Sequence, residues 1–578
     1  MAVLLITAAV HDAQTVDEAV HLSAGVSYWT TGDFRLNPEH PPLLKLLAAV
    51  PVLFQSVSLP LQHTSWDTAD QWTFGRLFVS ENTLPPDALL LLGRLPLIGV
   101  TLLLGWVIFW WSRRLFGPAG GLLSLFLYVT DPAFLAHGHL ITTDVGFSLF
   151  VLLSVLTLWS FSLHPTWLRW SAFVLSVSGA VASKFSWTLL VPLFIVLALI
   201  LWWRHTASWA RLLPAVRHRR RTVFLILIIS VLCVTACIWV LYGFEWHVPV
   251  VDRGVQRLID VRDHVLTDEY LAHAPVTERI FAAVVQTDTT VGRAIEWGLH
   301  HIPLPSFTFL RGLSNVIVHN YFGHESYFLG DRSLYGGWPM YFPYALLVKT
   351  PLLTIVLIVA TVVAYWRVLL PRRRSWLRTI PRRWIFLLVP PVFYLCWSMS
   401  SRLNLGVRHM LPMMPFLFIL VGSLPHALRE HRQGVRRTVW VAVGVIGIVT
   451  TLLRHPHHLS SFNSFAYGTH NLPLLLKDSN VDWGQELKHA SAALRAQGIT
   501  SPSIVYFGQD PSSRYGLSPV AAPTSDDPAS LTPAGPYLVS LSALLSYRND
   551  YGWLLNAQPT QQFGNAMFLY EFPEHTTD

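Results

Sequence analysis

Charge is scarce in this chain. Only 13% of its 578 residues are Asp, Glu, Lys or Arg, against about 25% in an ordinary soluble domain. That shortage excludes a disordered polyelectrolyte and a coiled coil. Cysteine is scarcer still. Cys233, Cys237 and Cys396 each sit inside an apolar run, so there is no disulfide framework and no reading of the redox compartment. No internal repeat is evident, which excludes solenoids and repeat arrays. The first ten residues, Met1–Val10, lack a basic leader and an A-x-A site, so they do not read as a signal peptide.

Long apolar runs are present instead. Hydrophobic residues make up 52% of the chain, the mean hydropathy is +0.43, and there are 24 Trp and 32 Phe. Windows long enough for a bilayer fall at 88–111, 118–136, 144–163, 222–243, 343–366, 383–401, 409–428 and 437–454. The stretch 171–203 is interrupted at Ser183-Lys184-Phe185-Ser186 and reads as two helices meeting at one membrane face. Met1–Val10 is too short to span, so the first helix is expected to be incomplete or to begin upstream. With it, about eleven spans are expected.

Arginine placement orients them. The loops 112–117, 164–170, 204–222, 367–383 and 429–437 hold 20 arginines and one acid, Glu430. The rest of the chain keeps 21 basic and 32 acidic residues and is net negative. The positive-inside rule places these five loops in the cytoplasm. The overall charge of +8 is then a topology signal, and a nucleic-acid partner is not expected. The loops 11–87 and 244–342 and everything after 455 face outward. Two domains follow: a transmembrane domain over 1–455 and a small extracytoplasmic α/β module over 456–578. Within the tail, Asp482–Gln497 reads as a helix. Ser503–Phe507, Tyr537–Leu541 and Ala566–Phe572 read as strands, and 519–536 as a loop.

Unusual polar residues collect in the outer loops. The first reads Thr15-Val-Asp17-Glu18-Ala-Val-His21, then Asn37-Pro-Glu39-His40-Pro41-Pro42-Leu-Leu-Lys45. Ala19–Trp29 and Leu43–Phe54 read as two short helices lying at the membrane surface. Thr15-x-x-Glu18 is also a capping box, a purely structural use of the pair. The second outer loop runs from Asp131 through His137 and His139 to Thr142-Thr143-Asp144. Asp144 either caps the helix that follows or acts as a second functional acid. Asp17, His139 and Asp144 together would suit Mg²⁺ or Mn²⁺, although their spacing is not diagnostic. Lys184, Lys349, Arg402, Arg408 and His409 gather at outer helix ends and would bind a phosphate by charge-assisted hydrogen bonds; snorkelling to lipid headgroups is the alternative. His324 and Tyr327, with the Gly336-Gly337-Trp338 stretch, would line a lipid groove, stack on a sugar or belong to an aromatic belt. Asp478-Ser-Asn480-Val-Asp482-Trp483-Gly484 reads better as an Asx-turn entering a helix than as a calcium loop, because position twelve is His489.

These motifs, in this order, resemble the glycosyltransferase C superfamily. The acidic pair at Asp17-Glu18, the EHPPLLK segment, TTDV at Thr142–Val145, SRLNLGVRHMLP, HESYFLG, YFPYALLVKTP and DSNVDWGQELK resemble bacterial relatives of the protein O-mannosyltransferases and of the aminoarabinose transferases. The resemblance implies transfer of a sugar from a polyprenyl-phosphate donor to a protein, glycan or lipid acceptor outside a bacterial cytoplasmic (inner) membrane. It matches Asp17 to the family's essential acid, Glu18 to the second member of the mannosyltransferase pair, and Asp144 to the acid of the second outer loop. Lys184, Arg402, Arg408, His409 and Lys349 would hold the donor phosphate, and Glu39, His40, His324 and Tyr327 would line the substrate. A lipid-linked-sugar transporter without chemistry is the competing class. It would favour internal repeats and midplane charges, neither of which is evident.

Overall fold

The computed structural model describes residues 1–209, 213–247, 297–298, 301–369, 381–428, 433–467, 475–520, 522 and 534–573. Much of the outer loop 244–342, parts of the arginine-rich loops 204–222, 367–383 and 429–437, and most of 519–536 lie outside the described residues.

Helix dominates, and its breaks fall where the sequence carries a breaker. The run Pro86–Val129 is interrupted at Gly117, with φ 81° and ψ 179°, immediately before Pro118. Glycine adopts that backbone without a Cβ penalty. The chain reverses there: the Tyr128 hydroxyl donates to the Thr101 carbonyl at 2.7 Å, and Ser124 Oγ donates to Ser112 Oγ at 2.7 Å. Asp144–Leu163 and Trp167–Ser183 pack on each other as the next pair. Lys184 is extended, and a 3₁₀ turn over Phe185–Leu189 leads into Leu190–Trp209. The window 343–366 is not one straight helix. Tyr341–Lys349 and Leu352–Trp366 meet at 110° beside Pro351.

Among the described residues, six helices are long and apolar enough to cross a membrane, or seven if the bent pair is one span. The chain is thus a multi-pass membrane protein by helix length and composition. Trp167–Ser183 and Arg382–Ser398, at 17 residues each, fall just short of the length. The helices divide by what they face. Only 6% of Phe224–Leu241 is buried, whereas 78% of Val407–Ala427 is. An outer helix with Leu225, Leu227, Val231 and Leu232 exposed is stable in lipid, where its backbone bonds are satisfied internally. The inner helix supplies Leu411, Phe416, Phe418 and Ile419 to the central core.

The first outer loop is thicker than expected. Glu18–Thr31 does not lie at a surface. Its residues from Glu18 to Tyr28 are all buried, against Leu43–Ala49, Gln71–Ser80 and the start of Pro86–Val129. The covering helix Gln71–Ser80 was not foreseen; Asp70 caps it, accepting from the Trp72 and Thr73 N–H groups. Segment 9–18 is locked by Arg94. Its guanidinium donates to both oxygens of Glu18, at 2.8 and 2.6 Å, and to the carbonyls of Ala9, Asp12 and Ala13. All five N–H bonds of an arginine find acceptors in this way.

In the tail, Ser503–Val505, Gly535–Ser540, Met567–Phe572 and Gln561–Phe563 form a four-stranded sheet in that order, parallel in its first pair and antiparallel after it. Gln561–Phe563 was too short to show alternation. The helix starts at Leu487, five residues later than the sequence suggested. Side chains hold 481–485 in a turn instead: Trp483 N–H donates to Gln485 Oε1 at 2.8 Å, and Gly484 N–H to Asp482 Oδ1 at 3.2 Å. Such local bonds compete with helix. The tail shares a core with the membrane helices, for Tyr341, Phe342, Met410 and Met413 join Val481, Tyr537, Val539 and Phe568 in one cluster.

Arg94 and Glu18 are both buried. Removing one partner of such a pair strands a charge at about 3–5 kcal/mol, whereas replacing both with apolar groups is often neutral. Arg94→Leu is therefore expected to lower the melting midpoint of the full-length protein in detergent, and Glu18→Leu/Arg94→Leu to recover part of the loss. A single variant melting like the wild type would contradict the locking role.

Candidate active site

Four charged side chains from four separate segments converge. Asp17 precedes the buried helix Glu18–Thr31. Asp144 opens Asp144–Leu163 from the loop after Pro132–His137, without a side-chain cap bond from Thr143. Lys184 is the extended residue between two helices. Arg408 lies in the 3₁₀ segment Val407–Met413. Lys184 Nζ donates to Asp144 Oδ1 at 2.5 Å. Arg408 Nη1 donates to Asp17 Oδ2 at 3.3 Å and stands 3.9 Å from Asp144 Oδ2. The two acids differ in access: the Asp144 side chain is 2% exposed and that of Asp17 is 21% exposed. Asp144 is thus the buried counter-ion, and Asp17 is the more accessible carboxylate.

The tail positions Arg408. Trp483 lies under its guanidinium, with Cζ 4.3 Å from the ring centroid, a cation–π contact. Asn480 Oδ1 accepts from Val407 N–H at 2.8 Å, and Ser479 Oγ donates to the Leu405 carbonyl at 2.6 Å. Gly406 sits between them at φ 146°, where a Cβ would meet Ser479 Oγ at 2.5 Å. The DSNVDW motif therefore supports the RLNLGVRH loop. Asp482 Oδ1 accepts from Gly484 N–H two residues on, the bond of an Asx-turn. Burial pushes the Asp482 carboxyl up to about 7 while Ser542 and Gly484 N–H groups bond it.

Polar atoms remain unsatisfied beside the charges. Arg408 Nε, His40 Nδ1 and both ring nitrogens of His137 are buried without a hydrogen-bond partner. Burial pushes His137 down to about 3, so its ring is neutral, and it lies edge-on to Trp483. Leaving such atoms unpaired costs stability, so these side chains are held where they are by the packing around them.

Several expected residues take other positions. Glu18 is not a second free acid. Both its oxygens are held by Arg94, with further N–H bonds from Thr15 and Ile141; the capping box is only half made, since Asp17 is the N-cap and Thr15 Oγ1 has no partner. Lys349 is not free for phosphate, since it donates to the carbonyls of Leu459, Ser461 and Asn480. Arg402 donates to the Tyr321 carbonyl at 2.7 Å, away from the four charges. Tyr327 is buried in the core shared with the tail, and His324 pairs with His319 at 3.1 Å. Glu39 accepts from Asn37 and Gln71. His40 stacks edge-on against His21, whose Nδ1 donates to the Ile141 carbonyl. His409 packs beside Phe342 and, unlike these, stays within electrostatic reach of Lys184, Arg408 and Asp144.

The set Asp17, His139 and Asp144 does not fit a divalent cation. His139 is bonded through both nitrogens, to the Leu135 carbonyl and to Asp12 at 3.0 Å. Asp144 is already neutralised by Lys184 and Arg408. Sequence reasoning also missed Lys45. It is buried, donates to Tyr28, Asn37 and His40, and is pushed down by burial to about 7. The signal was a lysine closing the EHPPLLK run on an apolar helix face.

No family model matches the chain, and no curated protein matches it. Among solved structures, ArnT from Cupriavidus metallidurans is similar in its apo state at 13% identity, covering 98% of this chain and 95% of that one, with a TM-score of 0.44. The same protein bound to undecaprenyl phosphate gives 12% identity, the same coverage and a TM-score of 0.43. The archaeal oligosaccharyltransferase AglB from Archaeoglobus fulgidus, in complex with an inhibitory peptide and a dolichol-phosphate, is similar at 13% identity over 91% of this chain and 61% of that one, with a TM-score of 0.37.

Proposed function

We propose that the protein is a membrane glycosyltransferase that moves a sugar from a polyprenyl-phosphate donor to a protein, glycan or lipid acceptor. The reading rests on one observation above all: Arg408 bridges Asp17 and Asp144 while Lys184 balances Asp144. In the proposed orientation about eleven helices cross a bacterial cytoplasmic membrane. The arginine-rich loops lie inside, and the four charges and the tail lie outside.

The mechanism is a single displacement. The acceptor hydroxyl attacks the anomeric carbon, and its proton passes to Asp17. The bond from that carbon to the phosphate oxygen breaks, and the electron pair leaves with the polyprenyl phosphate. The configuration inverts, and no nucleophilic carboxylate is needed. The leaving phosphate gains charge in the transition state, and in this reading Arg408 and Lys184 supply the positive charge that meets it.

Asp17→Asn is expected to lower turnover by about 10²–10⁴-fold, the usual contribution of a general base. The readout is free polyprenyl phosphate released by purified protein in nanodiscs, given a panel of polyprenyl-phosphate sugars and an envelope extract. A folded Asp17→Asn variant that turns over normally removes Asp17 from the role. Arg408→Lys is expected to lose at least about ten-fold, since an ammonium cannot reproduce the planar guanidinium that stacks on Trp483 while reaching Asp17. Movement of intact donor across the bilayer with no phosphate release would instead favour the transporter class.

A further inference from the structure

A second cluster of ligating side chains lies on the seam between the first helix and the tail. His11 ends Ala2–His11, His457 follows Gln433–Arg454, and Glu486 and His489 sit at the start of Leu487–Ala496. One ligand atom from each lies within 4.8 Å of all the others. The three rings surround the carboxylate, with centroids 5.4 Å apart for His11 and His457, 4.9 Å for His11 and His489, and 5.5 Å for His457 and His489. Glu486 Oε1 bonds His457 Nδ1 at 2.8 Å. Glu486 Oε2 and His489 Nδ1 are buried, stand 3.7 Å apart and have no hydrogen-bond partner. Both are aimed into the cluster and left unsatisfied.

The surroundings suit a bound ion. Asp12 Oδ1 accepts from His11 Nδ1 at 3.2 Å, which leaves Nε2 as the ligand atom, and its other oxygen holds His139. A carboxylate behind a ligating imidazole is the usual support of a metal site. Gly564, at φ 54°, keeps the space clear: a Cβ there would lie 3.1 Å from Glu486 Oε1 and 3.3 Å from His457 Nδ1.

We infer that His11, His457, His489 and Glu486 form a structural site for one zinc ion that clamps the tail to the first helix. Three imidazoles and one carboxylate favour a borderline transition ion over Mg²⁺ or Ca²⁺. Four protein ligands close a tetrahedron and leave no position for catalysis. Ligand atoms of a tetrahedral zinc lie about 3.4 Å apart, which small side-chain rotations supply from the present spacing. The clamp bears on the active site through backbone bonds beside it, Ala13 N–H to the Gln485 carbonyl and Val16 N–H to the Trp483 carbonyl. Trp483 is the ring beneath Arg408.

The test uses the full-length protein in detergent with any affinity tag removed, stripped with a chelator and reloaded with Zn²⁺, Co²⁺ or Mg²⁺. Elemental analysis is expected to find one zinc per chain, and the melting midpoint to rise with Zn²⁺ and not with Mg²⁺. Co²⁺ is expected to give the visible absorption of a four-coordinate ion. His457→Ala and Glu486→Gln, checked for monodispersity and helical content, should lose the metal and the shift. Substoichiometric zinc in the wild type, or full zinc retained by both variants, overturns the site. If neither variant folds, the wild-type stoichiometry and cobalt spectrum decide alone, and an octahedral spectrum overturns it. None of these readouts depends on sugar transfer.

Discussion

Five hydrogen bonds from one guanidinium hold the segment on which the site depends. Arg94 projects from a membrane helix into a place without water, where every N–H must find an acceptor inside the protein. It finds them in Glu18 and in the carbonyls of Ala9, Asp12 and Ala13. The chain between the first helix and Asp17 can therefore take only a narrow range of paths. Ala13 and Val16 in turn bond the tail at Gln485 and Trp483.

The four charges of the site are balanced: two carboxylates face an ammonium and a guanidinium. A balanced group tolerates burial that a lone charge would not. It also preserves directionality, because Asp144 sits at the buried end and Asp17 at the accessible end. A phosphate arriving at Arg408 would compete with Asp17 for the guanidinium. Loosening of that 3.3 Å bond would free the carboxylate to accept a proton. In the proposed mechanism, binding of the leaving group and readiness of the base would then be coupled through one side chain.

The tail belongs to the same physical unit as the membrane helices. Lys349 donates all three of its N–H bonds to tail carbonyls, and Asn480, Ser479 and Trp483 shape the loop that carries Arg408. The histidine cluster lies on that seam, so a metal clamp there would stiffen the same contacts.

Much of this was legible in the residues. Apolar windows located the helices, the loop 112–117 and Ser183–Ser186 their breaks, and sparse polar residues picked out Asp17, Asp144, Lys184 and Arg408. These are local properties, since hydropathy and backbone restriction act over a few residues. Partnership is not local. Glu18 beside Asp17 reads as its equal, yet Arg94, 76 positions away, makes it a strut. Lys349 and Arg402 read as phosphate ligands, yet carbonyls from distant segments hold them. Periodicity told of helices at Ala19 and Leu43 but not of the cover that buries the first. His11, His457, Glu486 and His489 come together from the two ends of the chain. The sequence by itself determined where the chain enters lipid, where it turns and which polar residues are out of place. Only the tertiary structure decided which charges are free and which are bonded, because a charge in low dielectric takes the nearest partner in space, whatever its distance along the chain.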